Sequence, residues 1–138
     1  MNQYSRKEMD IIKQCTEGPF HTLVTNLTNE EFNELVTKVI SDDNYKILPS
    51  LVAIYTDYNR NQIIDYYIKK KDPELLLGFL DYCHDFSTPN NILDQKYVVD
   101  KLLDTNDKEL IENIMNSNSL YFLTNQKEKE RLLNYLKG

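Results

Sequence analysis

Asp81-Tyr82-Cys83-His84-Asp85 gathers four metal-capable side chains into five residues. A zinc site needs about four ligands with tetrahedral reach. On a helix, Cys83 and His84 point about 100° apart and converge poorly. The remaining Cys and His, Cys15 and His21, have no ligand spacing of their own. His84 fits better at a helix C-terminus, where partial positive charge is favoured. Nucleophilic catalysis has no firmer foothold. The chain contains no G-x-S-x-G elbow, no H-E-x-x-H and no P-loop. Two histidines and scattered serines select no triad. The expectation is a non-enzyme with no catalytic residue, no cofactor and no metal.

Asp57, Asn59 and Asn61 stand at the first, third and fifth positions of a calcium-loop pattern, with Asp65 at the ninth. Two departures weaken the match: Gln62 replaces the glycine that makes the sharp turn, and Ile68 replaces the bidentate Glu. The stretch from Asp104 departs in the same way, with Glu109 and Met115 at those positions. Helix-linking turns are the expected reading, with weak calcium binding at 57–65 left open.

Charge is more informative. Sixteen basic and 22 acidic residues give a net charge of −6. Asp72 to Glu112 holds ten acids against Lys96, Lys101 and Lys108, so that segment carries −7 and the remainder +1. Glu74, Asp81 and Asp85 are spaced by seven and four, which places them on one helix stripe. Asp65 with Asp100, and Glu74 with Glu109, recur at the same interval and would form parallel acidic rows in stacked hairpins. Asp72 and Asp107 are better explained as caps. Tyr55, Tyr58, Tyr66, Tyr67, Tyr82 and Tyr97 interleave with these acids, and tyrosine offers large contact area with a polar tip. The candidate contact charges are Asp65, Glu74, Asp81, Asp85, Asp100 and Glu109, with Tyr58, Tyr66 and Tyr82 as anchors. Lys69-Lys70-Lys71 suits a helix C-terminus and is too short for a nucleic-acid patch.

The elements that must position these residues are helical. Ser5-x-x-Glu8 and Thr28-x-x-Glu31 are capping boxes. Met9, Ile11, Ile12 and Cys15 mark the first apolar face, and Gly18-Pro19 ends that helix. Leu27 can staple onto Phe32, and Phe32, Leu35, Val36, Val39 and Ile40 follow helical spacing. Pro49 opens a helix carrying Leu51, Val52, Ile54 and Tyr55. A further helix is predicted over 61–70. Asp72-Pro73-Glu74 starts the next, fading near His84. Thr88-Pro89 opens one running through Leu103, Asp107 caps a short helix to about Met115, and Thr124 caps the last, with Leu132, Leu133 and Leu136 inward. No convincing strand appears, although 20–27 is ambiguous.

A shift of 35 residues superposes Ile63, Ile64, Asp65, Ile68, Asp72, Leu75, Leu76 and Phe79 on Val98, Val99, Asp100, Leu103, Asp107, Leu110, Ile111 and Ile114. Each copy reads as helix, Asp-capped turn, helix. Over 49–116 this pattern resembles HEAT- or armadillo-type αα-hairpin repeats, which implies a binding scaffold. The expected fold is all-α, with seven or so helices, either HEAT-like hairpins or an irregular bundle. It forms a single domain over 1–138, with 1–45 and 117–138 as caps.

The chain of 138 residues holds 15 Asn, 13 Lys and ten Tyr against one Ala, three Arg, three Gly and no Trp. Such a bias follows from an A/T-rich genome: a low-GC bacterium, its phage or a large virus. The acidic balance argues against direct nucleic-acid binding. Two cysteines, no leader-like apolar stretch and no membrane-length run point to a soluble cytoplasmic protein. In size and acidity the chain resembles small bacterial immunity and inhibitor proteins. The resemblance implies a protein-binding module that masks a basic site on a toxin or nucleic-acid enzyme. The alternative is a viral or phage helical-bundle regulator of host defence or cell death, resembling Bcl-2-like proteins. Self-association through solenoid ends remains open.

Overall fold

In the computed structural model the described residues are 3–17, 27–52, 60–85, 92–117 and 120–138. The protein is all-α, and no strand occurs among those residues. Among the described residues seven helices reach eight residues or more: α1 (Arg6–Glu17), α2 (Asn29–Ser41), α4 (Arg60–Lys70), α5 (Pro73–Asp85), α6 (Gln95–Asp104), α7 (Lys108–Met115) and α8 (Gln126–Lys137). A 3-10 turn, Tyr45–Ile47, leads into the short α3 (Leu48–Val52). Backbone contacts cluster into two compact units, Met1–Ile63 and Ile64–Gly138, with the division inside α4.

In the N-terminal unit both capping boxes form. Ser5 N–H donates to Glu8 Oε1 at 2.7 Å and Glu8 N–H to Ser5 Oγ at 3.1 Å. Thr28 and Glu31 exchange the same pair of bonds. Ile11, Leu27, Phe32, Leu35, Val36, Val39, Leu48 and Leu51 are buried. Met9 is a correction to the predicted apolar face: it is 57% exposed, and Glu8 turns inward instead. Glu8 is buried because Lys38 Nζ meets its Oε1 at 2.8 Å, so the carboxylate leaves water already paired. Burial alone would raise this carboxyl. Bonds from Lys38 and from Ser5 outweigh burial and hold it below its ordinary value.

The C-terminal unit repeats one local device at an interval of 35 residues. Lys71 and Asn106 both take left-handed backbone, with φ of 55° and 51°. The next residue then caps a helix: Asp72 Oδ1 accepts from Leu75 N–H, and Asp107 Oδ1 from Leu110 N–H, each at 3.1 Å. Ile63 and Ile64, like Val98 and Val99, are buried, as are Leu76 and Ile111, and Phe79 and Ile114. α5 packs on α7, while α8 packs on both α6 and α7.

Two boundaries differ from the sequence reading. α6 begins at Gln95 rather than near Thr88, because Asp94 provides the cap, its side chain accepting from Tyr97 N–H. Residues 92–94 precede the helix, and 86–91 lie outside the described residues. α8 is capped by Asn125, not Thr124. Thr124 is held elsewhere: its N–H donates to Gln95 Oε1 at 3.0 Å and its Oγ1 accepts from Gln95 Nε2 at 2.9 Å. Leu132 is buried as expected, whereas Leu133 is 37% exposed.

Candidate functional site

The C-terminal unit carries an open groove of about 740 Å3 between α5 and the segment that runs from α7 towards α8. Glu74, Leu77, Gly78 and Asp81 line it from α5, and Asn113, Ser117 and Tyr121 from the other side. The α5 residues follow i, i+3, i+4, i+7 spacing, so one helix face forms the wall. Leu76, Phe79, Leu80 and Cys83 occupy the opposite, buried face. That apolar anchoring fixes the rotation of α5 and turns Glu74 and Asp81 towards the groove.

Asp81 does two things. Its Oδ1 accepts from Phe122 N–H at 2.8 Å and Tyr121 N–H at 3.1 Å, so it fastens the segment before α8 to α5. Burial pushes its carboxyl above the ordinary value, and nearby Asp85 adds to that, while the two N–H bonds and His84 oppose it. Phe122 is fully buried next to Tyr121, which remains 63% exposed. Glu74 is exposed, and among the described residues no hydrogen bond or ion pair holds its side chain.

The remaining candidates divide by what they touch. Asp65 is exposed and accepts from Tyr97 Oη at 2.7 Å. That bond, after burial itself, pushes the Tyr97 hydroxyl up to about 12. Asp100 pairs with Lys96 at 2.9 Å and with Arg131 at 2.6 Å, and Arg131 also reaches the buried Glu128. These bonds hold the Asp100 carboxyl below its usual range. Both acids, at equivalent repeat positions, thus tie one helix to the next but one, α4 to α6 and α6 to α8. Asp85 is exposed, with His84 Nδ1 at 3.5 Å from its Oδ1. Glu109 is exposed on α7, as is Glu112.

Tyr66 is only 8% exposed and sits in a ring cluster, 5.7 Å from Tyr67, which lies edge-on to Phe79 at 5.7 Å. Its ring is core packing rather than an open anchor. Tyr82 is half-buried, and Tyr58 lies outside the described residues. So do Asp57 and Asn59, the first and third positions of the calcium-like spacing. Among the described residues no cluster of three or more His, Cys, Asp or Glu side chains could hold a metal. No helix among them is long and apolar enough to cross a membrane.

The structure therefore brings Glu74 and Asp81 together in one groove and directs Asp65 and Asp100 to internal bonds. Sequence reasoning missed Tyr121 and Gly78. Gly78 carried a signal, being a glycine in the middle of a strong helical pattern in a chain with three glycines. What these features define is an all-α protein whose C-terminal unit carries an open groove bordered by Glu74 and Asp81. Comparison with protein-family models, curated proteins and solved structures found no match for the chain.

Proposed function

We propose that this chain is a protein-binding module that uses the acidic face of its C-terminal unit to mask a basic site on another protein, in the manner of an immunity or inhibitor protein acting on a toxin or nucleic-acid enzyme. One observation carries the reading: Glu74 borders an open groove beside Asp81 with no internal partner among the described residues. A solvated carboxylate at the rim of a concave surface attracts cations and steers their approach. Glu109 and Glu112 extend the negative field along α7. Carboxylates presented this way occupy the place of phosphates on a basic surface, so the module itself does not bind nucleic acid. It acts in the cytoplasm, where its two thiols stay reduced.

The test is capture of partners from the native host by wild-type protein and by a Glu109→Lys/Glu112→Lys variant. A basic protein retained by the first and lost by the second supports the reading. Capture that is indifferent to charge reversal overturns it.

A further inference from the structure

Gly78 lies in the interior of α5, where glycine costs roughly 0.5–1 kcal/mol relative to alanine. Interior glycines usually relieve a close approach or supply a left-handed turn. Neither applies here: a Cβ built at Gly78 meets nothing within 4 Å, and no glycine among the described residues has positive φ. What the missing side chain does is leave the groove wall open between Glu74 and Asp81.

Resting on the proposed function, we infer that this groove receives an arginine side chain of the basic partner, with the aliphatic stem crossing Gly78 and Leu77 and the guanidinium between the Glu74 and Asp81 carboxylates. Two features select the guanidinium over an ammonium, and two at Asp81 favour a cation. Its planar fork suits carboxylate oxygens, and it stacks on aromatic faces, which the exposed Tyr121 ring offers at the same groove. Asp81 commits Oδ1 to the two loop N–H groups, and no hydrogen bond among the described residues uses Oδ2. Burial disfavours the charged form of Asp81, and an incoming cation relieves that cost.

The experiment titrates the full chain with the blocked peptide acetyl-Gly-Arg-Gly-amide, following backbone amide shifts by NMR, with citrulline and lysine counterparts as controls. The expected result is saturable, millimolar binding of the arginine peptide centred on Gly78, Asn113 and Tyr121, with the citrulline peptide inert and the lysine peptide weaker. Glu74→Gln and Gly78→Leu should each weaken it by at least about tenfold, with unchanged circular dichroism and melting no lower than wild type confirming the fold. Absence of binding, equal binding of citrulline or lysine, or undiminished binding by Gly78→Leu overturns the inference. Failure here is separable from failure of the functional reading. A partner lost on reversal of Glu109 and Glu112 but retained by Gly78→Leu sinks the arginine groove and leaves the acidic interface standing.

Discussion

Lys71 Nζ lies 3.0 Å from Asp107 Oδ2, so the left-handed turn residue of one hairpin is paired with the helix cap of the next. The two positions are linked twice over: Asn106 repeats the Lys71 backbone, and Asp72 repeats the Asp107 cap. Successive hairpins are thus joined at the turns as well as through their apolar faces.

The pair and the cap contribute unequally. Lys71 is 60% exposed at the side chain, and exposed ion pairs contribute little. Lys71→Asn keeps a residue that tolerates left-handed backbone and removes only the charge. Its melting temperature should stay close to wild type. Asp107→Ala removes the bond to Leu110 N–H and should lower melting several times more. Equal losses in the two variants would show that the ion pair, not the cap, holds the turn.

Asp81 gives a sharper contrast. Asp81→Ala strips the acceptor from both the Tyr121 and Phe122 N–H groups, at a cost of about 1–3 kcal/mol for donors left without partners. Asp81→Asn preserves an acceptor oxygen of the same shape and removes a charge that burial disfavours, so it should melt near wild type. Chemical denaturation of the two variants measures the difference. Hydrogen exchange at the Phe122 amide should rise in the alanine variant alone.

How far the sequence foretold this depends on how local each cause is. The caps at Asp72 and Asp107, and the boxes at Ser5 and Thr28, act within three residues and were visible in the residue order. So were the apolar stripes of α2 and α5. The first residues of α6 and α8 were less legible because Asp94 and Asn125 compete with equally good cappers nearby, and Gln95 binds Thr124 from 29 residues away. The acidic site was half legible. Charge and stripe spacing picked out Glu74 and Asp81, but Asp81 finds its donors 40 and 41 residues along the chain. No periodicity could show that Asp65 and Asp100 answer to Tyr97 and Arg131, or that Tyr66 turns inward.

Acid should loosen the N-terminal unit through Glu8. Its carboxyl sits below the ordinary 4.5 in the folded chain. A depressed carboxyl contributes stability that is fully present above the unfolded value and is lost as pH falls through the folded one. Melting followed from pH about 6 down to about 3 should therefore show a decline that flattens in Glu8→Gln. An unchanged slope in that variant would assign acid sensitivity elsewhere.

Alkali has a matching signature. The Tyr4, Tyr67 and Tyr97 hydroxyls are each pushed up to about 12, by burial first and then by a neighbouring carboxylate. A raised phenol contributes stability that is present below its unfolded value of about 10 and is lost as pH climbs through the folded one. Absorbance titration near the phenolate band should show a late-ionising group of tyrosines, reduced by one in Tyr97→Phe. Ionisation of all tyrosines together near their ordinary value, with the protein still folded, would contradict the Asp65–Tyr97 bond.

Gly78→Ala separates what the helix prefers from what the groove requires. A Cβ at this position meets nothing within 4 Å, so the substitution brings no clash and removes the backbone freedom that glycine loses on folding. The expected gain is about 0.5–1 kcal/mol in chemical denaturation. A methyl group narrows the groove only slightly, so the arginine peptide should bind alanine with an affinity between those for wild type and Gly78→Leu. A stabilised variant with weaker peptide binding would show helix stability and groove access opposed at one residue. A destabilised Gly78→Ala would mean that the space over Gly78 is filled by the chain itself, and the groove would then be closed to any partner.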